Sequence, residues 1–208
     1  MTPKLELLLH DNTAFKLQLS LLRRRIAVLV SGGLDSALLY YLVKKLSLED
    51  DSYVVTPYTL ERQDGSKNHA QMIIDYVHDM LGVDRLTTNY IPITAKDSNL
   101  QVAEGMRLVL KEPINILYMG HIKILPEHAL HGVPTPHVPF DHENTKNPFK
   151  DLTKVHIVDI VAKLNIEQLF VLTHSCVYDI AGRCNKCNRC NERAWAFSQL
   201  GLVDPGIK

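Results

Sequence analysis

Three groups of residues in this chain have types and spacings that can do chemistry. The first is Ser31-Gly32-Gly33-Leu34-Asp35-Ser36. Paired glycines let a backbone approach an anion closely, because no Cβ stands in the way. Ser31 and Ser36 flank them with hydroxyl donors. A Walker A loop would need GxxxxGK[ST] with a lysine for the β/γ-phosphates, and no lysine follows here. The second group is Cys176, Cys184, Cys187 and Cys190, which are all four cysteines of the chain. Their pattern is C-x7-C-x2-C-x2-C. Two residues between thiolates is the reach of a tight knuckle, so Cys184, Cys187 and Cys190 can share one metal. The longer loop brings Cys176 to the fourth corner. Four thiolates with no spare ligand describe a closed, structural Zn2+ site. An iron–sulfur cluster takes the same ligands, and free thiols are the remaining alternative. The third is Lys154, at the first turn of a helix capped by Thr153. A cation there opposes the helix dipole, so Lys154 either has an anion as its partner or is a solvated surface lysine. Asp35 and Lys154 are the candidate catalytic residues.

The elements around these groups follow from apolar patterning. Residues 25–30 form a short apolar run that reads as a buried strand, and residues 37–46 read as the helix after the glycine turn. Strand, turn and helix start together make an anion site. The first helical N–H groups lack intrahelical partners, and the dipole favours negative charge there. Residues 1–22 are expected to form a leader helix, from Phe15, Leu17, Leu19, Leu21 and Leu22, ending at a solvated Arg23 to Arg25 run. Residues 52–58 predict a second strand. A polar loop over 59–67 turns at Asp64-Gly65. Asn68 is placed to cap a helix over 69–81, with Met72, Ile73, Tyr76, Val77, Met80 and Leu81 on one face and Gly82 closing it. Residues 85–93 predict a third strand. Ser98 caps a helix through 110, and 114–120 predict a fourth strand.

Residues 122–148 break this alternation. They hold Pro126, Pro134, Pro136 and Pro139, with His128, His131, His137 and His142. A run this long is either a substrate-covering loop or a surface excursion. A helix over 154–164, a short strand over 168–173 and a final helix over 191–200, closed by Gly201, complete the chain.

Strands alternating with helices predict an α/β fold with a doubly wound, mostly parallel sheet, and a small C-terminal zinc-binding segment. Residues 1–170 are expected to form the nucleotide-binding domain and 171–208 the cysteine segment with its closing helix. Ligands of such sheets bind outside the carboxyl ends of the strands. That rule adds Tyr58 and Gly120 to Ser31, Gly32, Gly33, Leu34, Asp35 and Ser36 as nucleotide-binding candidates.

Length and composition are those of one ordinary domain: 208 residues, 46% hydrophobic and 22% charged. The 23 basic residues balance the 23 acidic ones, so a polyanionic partner such as nucleic acid is not indicated. No stretch approaches the ~20 apolar residues of a membrane span, and no signal pattern opens the chain. A cytoplasmic protein is expected. Clustered cysteines in that compartment point to metal before disulfides.

The string Ser-Gly-Gly-x-Asp-Ser after an apolar strand resembles the pyrophosphate loop of the PP-loop ATP pyrophosphatases. The tail is more specific. His174-Ser175-Cys176, then Cys184 through Cys190, then Arg193-Ala194-Trp195-Ala196-Phe197 and Gly201-Leu202-Val203-Asp204-Pro205 resemble the end of 7-cyano-7-deazaguanine (preQ0) synthases. Pro148-Phe149-Lys150-Asp151-Leu152-Thr153-Lys154 is similar to the segment before it. The resemblance implies an adenine nucleotide alpha hydrolase-like fold and a homodimer. It also implies a ligase that uses ATP, Mg2+ and ammonia to turn a 7-carboxy-7-deazaguanine into amide or nitrile. The substrate half departs from that family: His121-Ile122-Lys123-Ile124-Leu125-Pro126-Glu127-His128 stands where the family holds its base. The competing readings are a tRNA-modifying PP-loop enzyme, thiolating or lysidine-forming, and a non-catalytic nucleotide-binding module.

Overall fold

The computed structural model of the chain describes residues 2–61, 67–95, 98–128, 143–178 and 182–206. At its centre is β3 (Arg25–Leu29), the strand that leads into the glycine turn. The apolar run Ile26-Ala27-Val28 is fully covered on both faces, as a central parallel strand requires. Ile26 and Val28 face one core, while Ala27 faces another with Leu117 and Met119. Period two therefore splits a single strand between two layers.

Four more strands join β3 in one parallel sheet: β4 (Val54–Glu61), β5 (Asn89–Pro92), β6 (Ile116–Tyr118) and β7 (Thr145–Lys146). The order is β5-β4-β3-β6-β7. Helices α1 (Leu34–Ser47) and α2 (Lys67–Leu81) pack on one face. Helix α3 (Ser98–Val109) returns the chain across the other, burying Met106 and Val109. The winding reverses between β3 and β6, so the crevice of a doubly wound sheet opens where the glycine turn lies. Helices α4 (Lys154–Lys163), α5 (Gln168–Leu172) and α6 (Asn188–Gln199) thicken the α1 face, and Ala196 and Phe197 of α6 join its core.

Two expectations are overturned. Residues 2–22 contain no leader helix: β1 (Lys4–Leu8) and β2 (Ala14–Gln18) form an antiparallel hairpin. Phe15, Leu17 and Leu19, at most 3% exposed, recur at every second position, which is a strand period and not a helical one. Asn12, at φ 65°, supplies the left-handed residue of the turn. Residues 168–173 are not a strand either. They form the single-turn helix α5, which docks Leu169 and Phe170 into the main core. So short an apolar run has no period of its own, and packing against α1 and α2 decides it.

Smaller differences have local causes. β5 begins at Asn89 and not at residue 85, because Arg85 turns back to clasp Asp79 at 2.8 Å. Met72 and Met80 lie on the open side of α2, 46% and 41% exposed, while Ala70, Ile73, Ile74 and Val77 form its buried face. β7 and a 3₁₀ turn at Pro126–His128 stand within the proline- and histidine-rich excursion. His131, His137 and His142, and the Asp64-Gly65 turn, lie outside the described residues. Among the described residues no helix is long and apolar enough to cross a membrane.

Candidate functional site

The glycine turn is built by its own hydroxyls. The Ser31 N–H donates to Ser36 Oγ at 3.0 Å, and Ser36 Oγ–H donates to the Gly33 carbonyl at 3.1 Å. The two hydroxyl oxygens lie 3.0 Å apart. Gly32 has φ 86°, a left-handed conformation that only glycine adopts cheaply. Gly33 caps α1 in extended conformation with no side-chain cap. The first-turn N–H groups of Leu34, Asp35 and Ser36 thus lie where no intrahelical carbonyl reaches.

Three further segments close on this turn. After β6 the chain passes so near that a Cβ on Gly120 would lie 3.0 Å from Asp35 C, Asp35 O and Ser36 N. Gly120 is therefore a close-approach glycine. From α4, the Lys154 Nζ donates to both Asp35 carboxylate oxygens, at 2.6 and 2.7 Å. Lys154 is 6% exposed, deep enough that its charge needs the carboxylate. From the segment after α5, the His174 N–H donates to the Gly32 carbonyl at 2.9 Å. The His174 ring stacks on His69 at 5.0 Å. His69 donates from Nδ1 to the Leu172 carbonyl at 3.0 Å, which ties the start of α2 to the same corner.

Ser31, Gly32, Gly33, Leu34, Asp35, Ser36, Gly120 and Lys154 are thus brought together. Tyr58 is not. β4 runs on to Glu61, so Tyr58 lies inside the strand, and its side chain packs under α3 with Met106 and Leu117. Burial raises its hydroxyl pKa. Only its carbonyl serves the turn, accepting the Val30 N–H at 2.8 Å. His69 and His174 are neighbours of the turn that the sequence does not announce. One lies just after a polar loop and the other two residues before a cysteine, and neither spacing signals the loop.

The four cysteine sulfurs converge, each within 4.8 Å of the others. Backbone N–H groups already point at them. Lys186 and Cys187 donate to Cys184 Sγ at 3.4 and 3.2 Å, and Cys190 donates to Cys187 Sγ at 3.4 Å. Asn185, at φ 53°, makes the first knuckle turn. The Lys186 N–H pulls the Cys184 thiol down to about 6, while burial pushes Cys190 up to about 12. Amide donors that stabilise thiolates, at closed four-sulfur spacing, fit a metal ion. Cys187 also caps α6, so the cluster fixes the start of that helix.

Helix α6 is locked in turn by Arg193, which is fully buried. Its Nε donates to Asp204 Oδ2 at 2.8 Å, and its Nη1 donates to Thr173 Oγ1 and Ser175 Oγ at 2.9 and 3.2 Å. The tail is thereby bound to the segment that carries His174. On the other side of α4, the Thr153 N–H donates to His156 Nδ1 at 2.9 Å. That leaves the ring proton on Nε2, which faces Asp11 Oδ2 at 3.0 Å. His10, Asp11 and His156 have the proximity of metal ligands. His156 has already committed both nitrogens, so the trio reads as a strap from the hairpin to the first turn of α4.

Residues 140–201 match the family model described as queuosine biosynthesis protein QueC. That stretch holds Lys154, the four cysteines and Arg193. Among solved structures the chain is similar to the U34-tRNA thiolase NcsA from Methanococcus maripaludis with its 4Fe-4S cluster. The two are 13% identical over 88% of this chain and 69% of that one, with a TM-score of 0.49. It is also similar to NMN synthetase from Francisella tularensis, at 13% identity over 87% of this chain and 74% of that one, with a TM-score of 0.46. No curated protein matches the chain.

Proposed function

We propose that this chain is an ATP-dependent ligase that adenylates a 7-carboxy-7-deazaguanine-type carboxylate and couples it to ammonia. The observation that carries the reading is the Asp35–Lys154 pair seated on the Ser31–Ser36 turn, in a chain whose residues 140–201 match the QueC family.

The chemistry needs activation because a carboxylate is a poor acyl donor: its leaving group is oxide. Attack of the carboxylate oxygen on the α-phosphorus of ATP breaks the α–β bond, releases pyrophosphate and makes AMP the leaving group. Ammonia then displaces AMP to give the amide. Adenylation of the amide oxygen by a second ATP allows loss of AMP and two protons to the nitrile.

The residues supply binding and charge stabilisation. The N–H groups of Leu34, Asp35 and Ser36 and the α1 dipole favour the phosphates. Lys154 stands at the N-terminus of a second helix, so both dipoles and the ammonium make the corner attractive to an anion. Asp35 is the carboxylate of the turn, 21% exposed at its side chain, and would hold Mg2+, which would screen phosphate charge. Cys176, Cys184, Cys187 and Cys190 would hold Zn2+, which supplies structure and no chemistry.

The deciding experiment measures AMP and pyrophosphate with ATP plus, in turn, the acid, the acid with ammonia, and tRNA. Pyrophosphate release that requires the acid supports the reading. Release that requires tRNA, or ADP and phosphate as products, overturns it. Mass spectrometry of the base then identifies the product: about −1 from the acid for amide and about −19 for nitrile, from the atoms each step replaces.

A further inference from the structure

Among the described residues, the β1–β2 hairpin forms a sheet of its own and pairs with no strand of the main one. A lone hairpin is marginal in water. This one is held by what it buries: Leu9, Phe15, Leu17 and Leu19 join the main core, and the Phe15 ring meets Phe149, in the segment before α4, at 5.6 Å. Its turn then grips α4 at two levels. The His10 N–H donates to Asp159 Oδ2 at 2.8 Å, and Asp11 Oδ2 accepts from His156 Nε2 at 3.0 Å. The second contact falls on the first turn of α4, where the Lys154 side chain leaves toward Asp35.

His156 makes that reach possible. A capping box ordinarily takes Glu or Gln at the third helical position. His156 fills the role with Nδ1, which accepts the Thr153 N–H, and has a second nitrogen left to reach outward. A glutamate would cap as well but would face Asp11 as a like charge. The first turn of α4 holds no acidic residue and does hold Lys154, which the dipole opposes. Asp11 thus brings to this helix start the anion that the helix itself lacks.

Stability does not account for the contact. The Asp11 side chain is 44% exposed, and exposed pairs contribute little to stability. The body of α4 is already anchored by Val155, Ile157, Val158, Ile160 and Val161 in the main core. Packing leaves the helix end loose, because ends fray. Position at that end matters, because Lys154 must meet a carboxylate carried by another helix.

We infer that Asp11 and His156 are positioning residues for Lys154. The hairpin turn holds the first turn of α4 at the height from which Lys154 Nζ reaches both Asp35 oxygens. The inference rests on the ligase reading above and deepens it, for it names what sets the charged residue of that site in place.

The test is a double-mutant cycle on the metal-loaded protein. Asp11→Asn keeps an oxygen for the Thr13 N–H, which Asp11 Oδ1 accepts at 3.0 Å, and turns an amide donor toward His156 Nε2. His156→Glu keeps the cap and opposes Asp11. Each should lower kcat for acid-dependent pyrophosphate release by roughly tenfold, with KM for ATP and melting temperature little changed. Neither should have a further effect in the Lys154→Met background, because a residue that acts through Lys154 then has nothing to position. A structural role would give additive losses that follow melting temperature. Additive losses, or full activity in both single variants, overturn the inference.

Acetylation of Lys154 by acetic anhydride, read by peptide mass spectrometry without substrate, measures the same brace independently. Lys154 is 6% exposed and paired, so it should label slowly in wild type. In Asp11→Asn it should label roughly fivefold faster, because a loosened helix end opens more often. Equal labelling overturns the inference whatever the activity. A wild type that releases no pyrophosphate with the acid overturns the ligase reading alone, and the labelling then decides the positioning.

Discussion

Lys154 holds both carboxylate oxygens of Asp35, at 2.6 and 2.7 Å, across a junction where two helices begin. Asp35 lies in the first turn of α1 and Lys154 in the first turn of α4. Each helix start carries about half a positive charge. One carboxylate set against two helix ends and an ammonium leaves the corner positive, which suits a polyphosphate. Lys154→Met should therefore reduce pyrophosphate release by roughly 100-fold, the scale of removing one preorganised charge-stabilising donor. It should also cost about 3 kcal/mol of stability by leaving Asp35 unpaired. Unchanged ATP affinity and rate in steady-state assays would refute the role.

The glycines of the site separate by cause. Gly33→Ala meets only Ser31 Oγ at 3.5 Å and the His174 carbonyl at 3.6 Å, ordinary contacts, so the empty turn should tolerate it. Gly120→Ala presses on the backbone of Asp35 and Ser36 at 3.0 Å, where no flexible side chain can yield. Gly120→Ala should lower the melting temperature and weaken binding of a non-hydrolysable ATP analogue by roughly tenfold, equal to about 1.4 kcal/mol. Gly33→Ala, by contrast, should reveal its penalty only with nucleotide present. Calorimetry on both variants checks the order.

Much of this was legible in the sequence, and the rest has physical reasons for being hidden. Ile26-Ala27-Val28 followed by the glycine turn announces a buried strand and an anion site, because backbone chemistry alone specifies both. The cysteine spacing shows for the same reason, since ligand geometry is local. Tyr58 lies inside β4, which continues to Glu61, because strand ends depend on neighbours that propensity does not register. Phe15, Leu17 and Leu19 form the hairpin's buried face, and their spacing of two spells a strand where a helical stripe would need three or four. His69 and His174 meet only through the fold, 105 positions apart in the chain (174 − 69), so no local pattern could have paired them.

One tightly held metal per chain is expected. Its ligands are deprotonated thiols, so binding free energy is also folding free energy. Cys187→Ser removes a ligand and the α6 cap together, and should lower metal content and melting temperature in step. Elemental analysis should find zinc near one equivalent with no visible absorbance. Iron with a visible band would replace zinc by a cluster, and a folded protein without metal would reject the site.

The tail offers a pH test whose sign is fixed by the structure. Burial alone would raise the Asp204 carboxyl pKa, but the hydrogen bond from Arg193 and the charges of Arg193 and Arg183 outweigh it and leave it lowered. The unfolded chain then binds the proton more readily than the folded one, so stability rises with pH across this titration. The contribution is complete above the ordinary value of 3.8 and is lost as pH falls below it toward the folded value. Acid also protonates the metal-binding thiolates, so the wild-type curve alone would confuse the two effects. The comparison with Asp204→Asn separates them, because both proteins share the thiolate loss. At neutral pH the variant leaves Arg193 buried without its carboxylate and should be less stable by about 3–5 kcal/mol. The gap in melting temperature should narrow below about pH 4, following the carboxyl titration. A gap that stays constant down to pH 2.5, with metal content matched, would show that the Arg193–Asp204 bond does not hold the tail through charge.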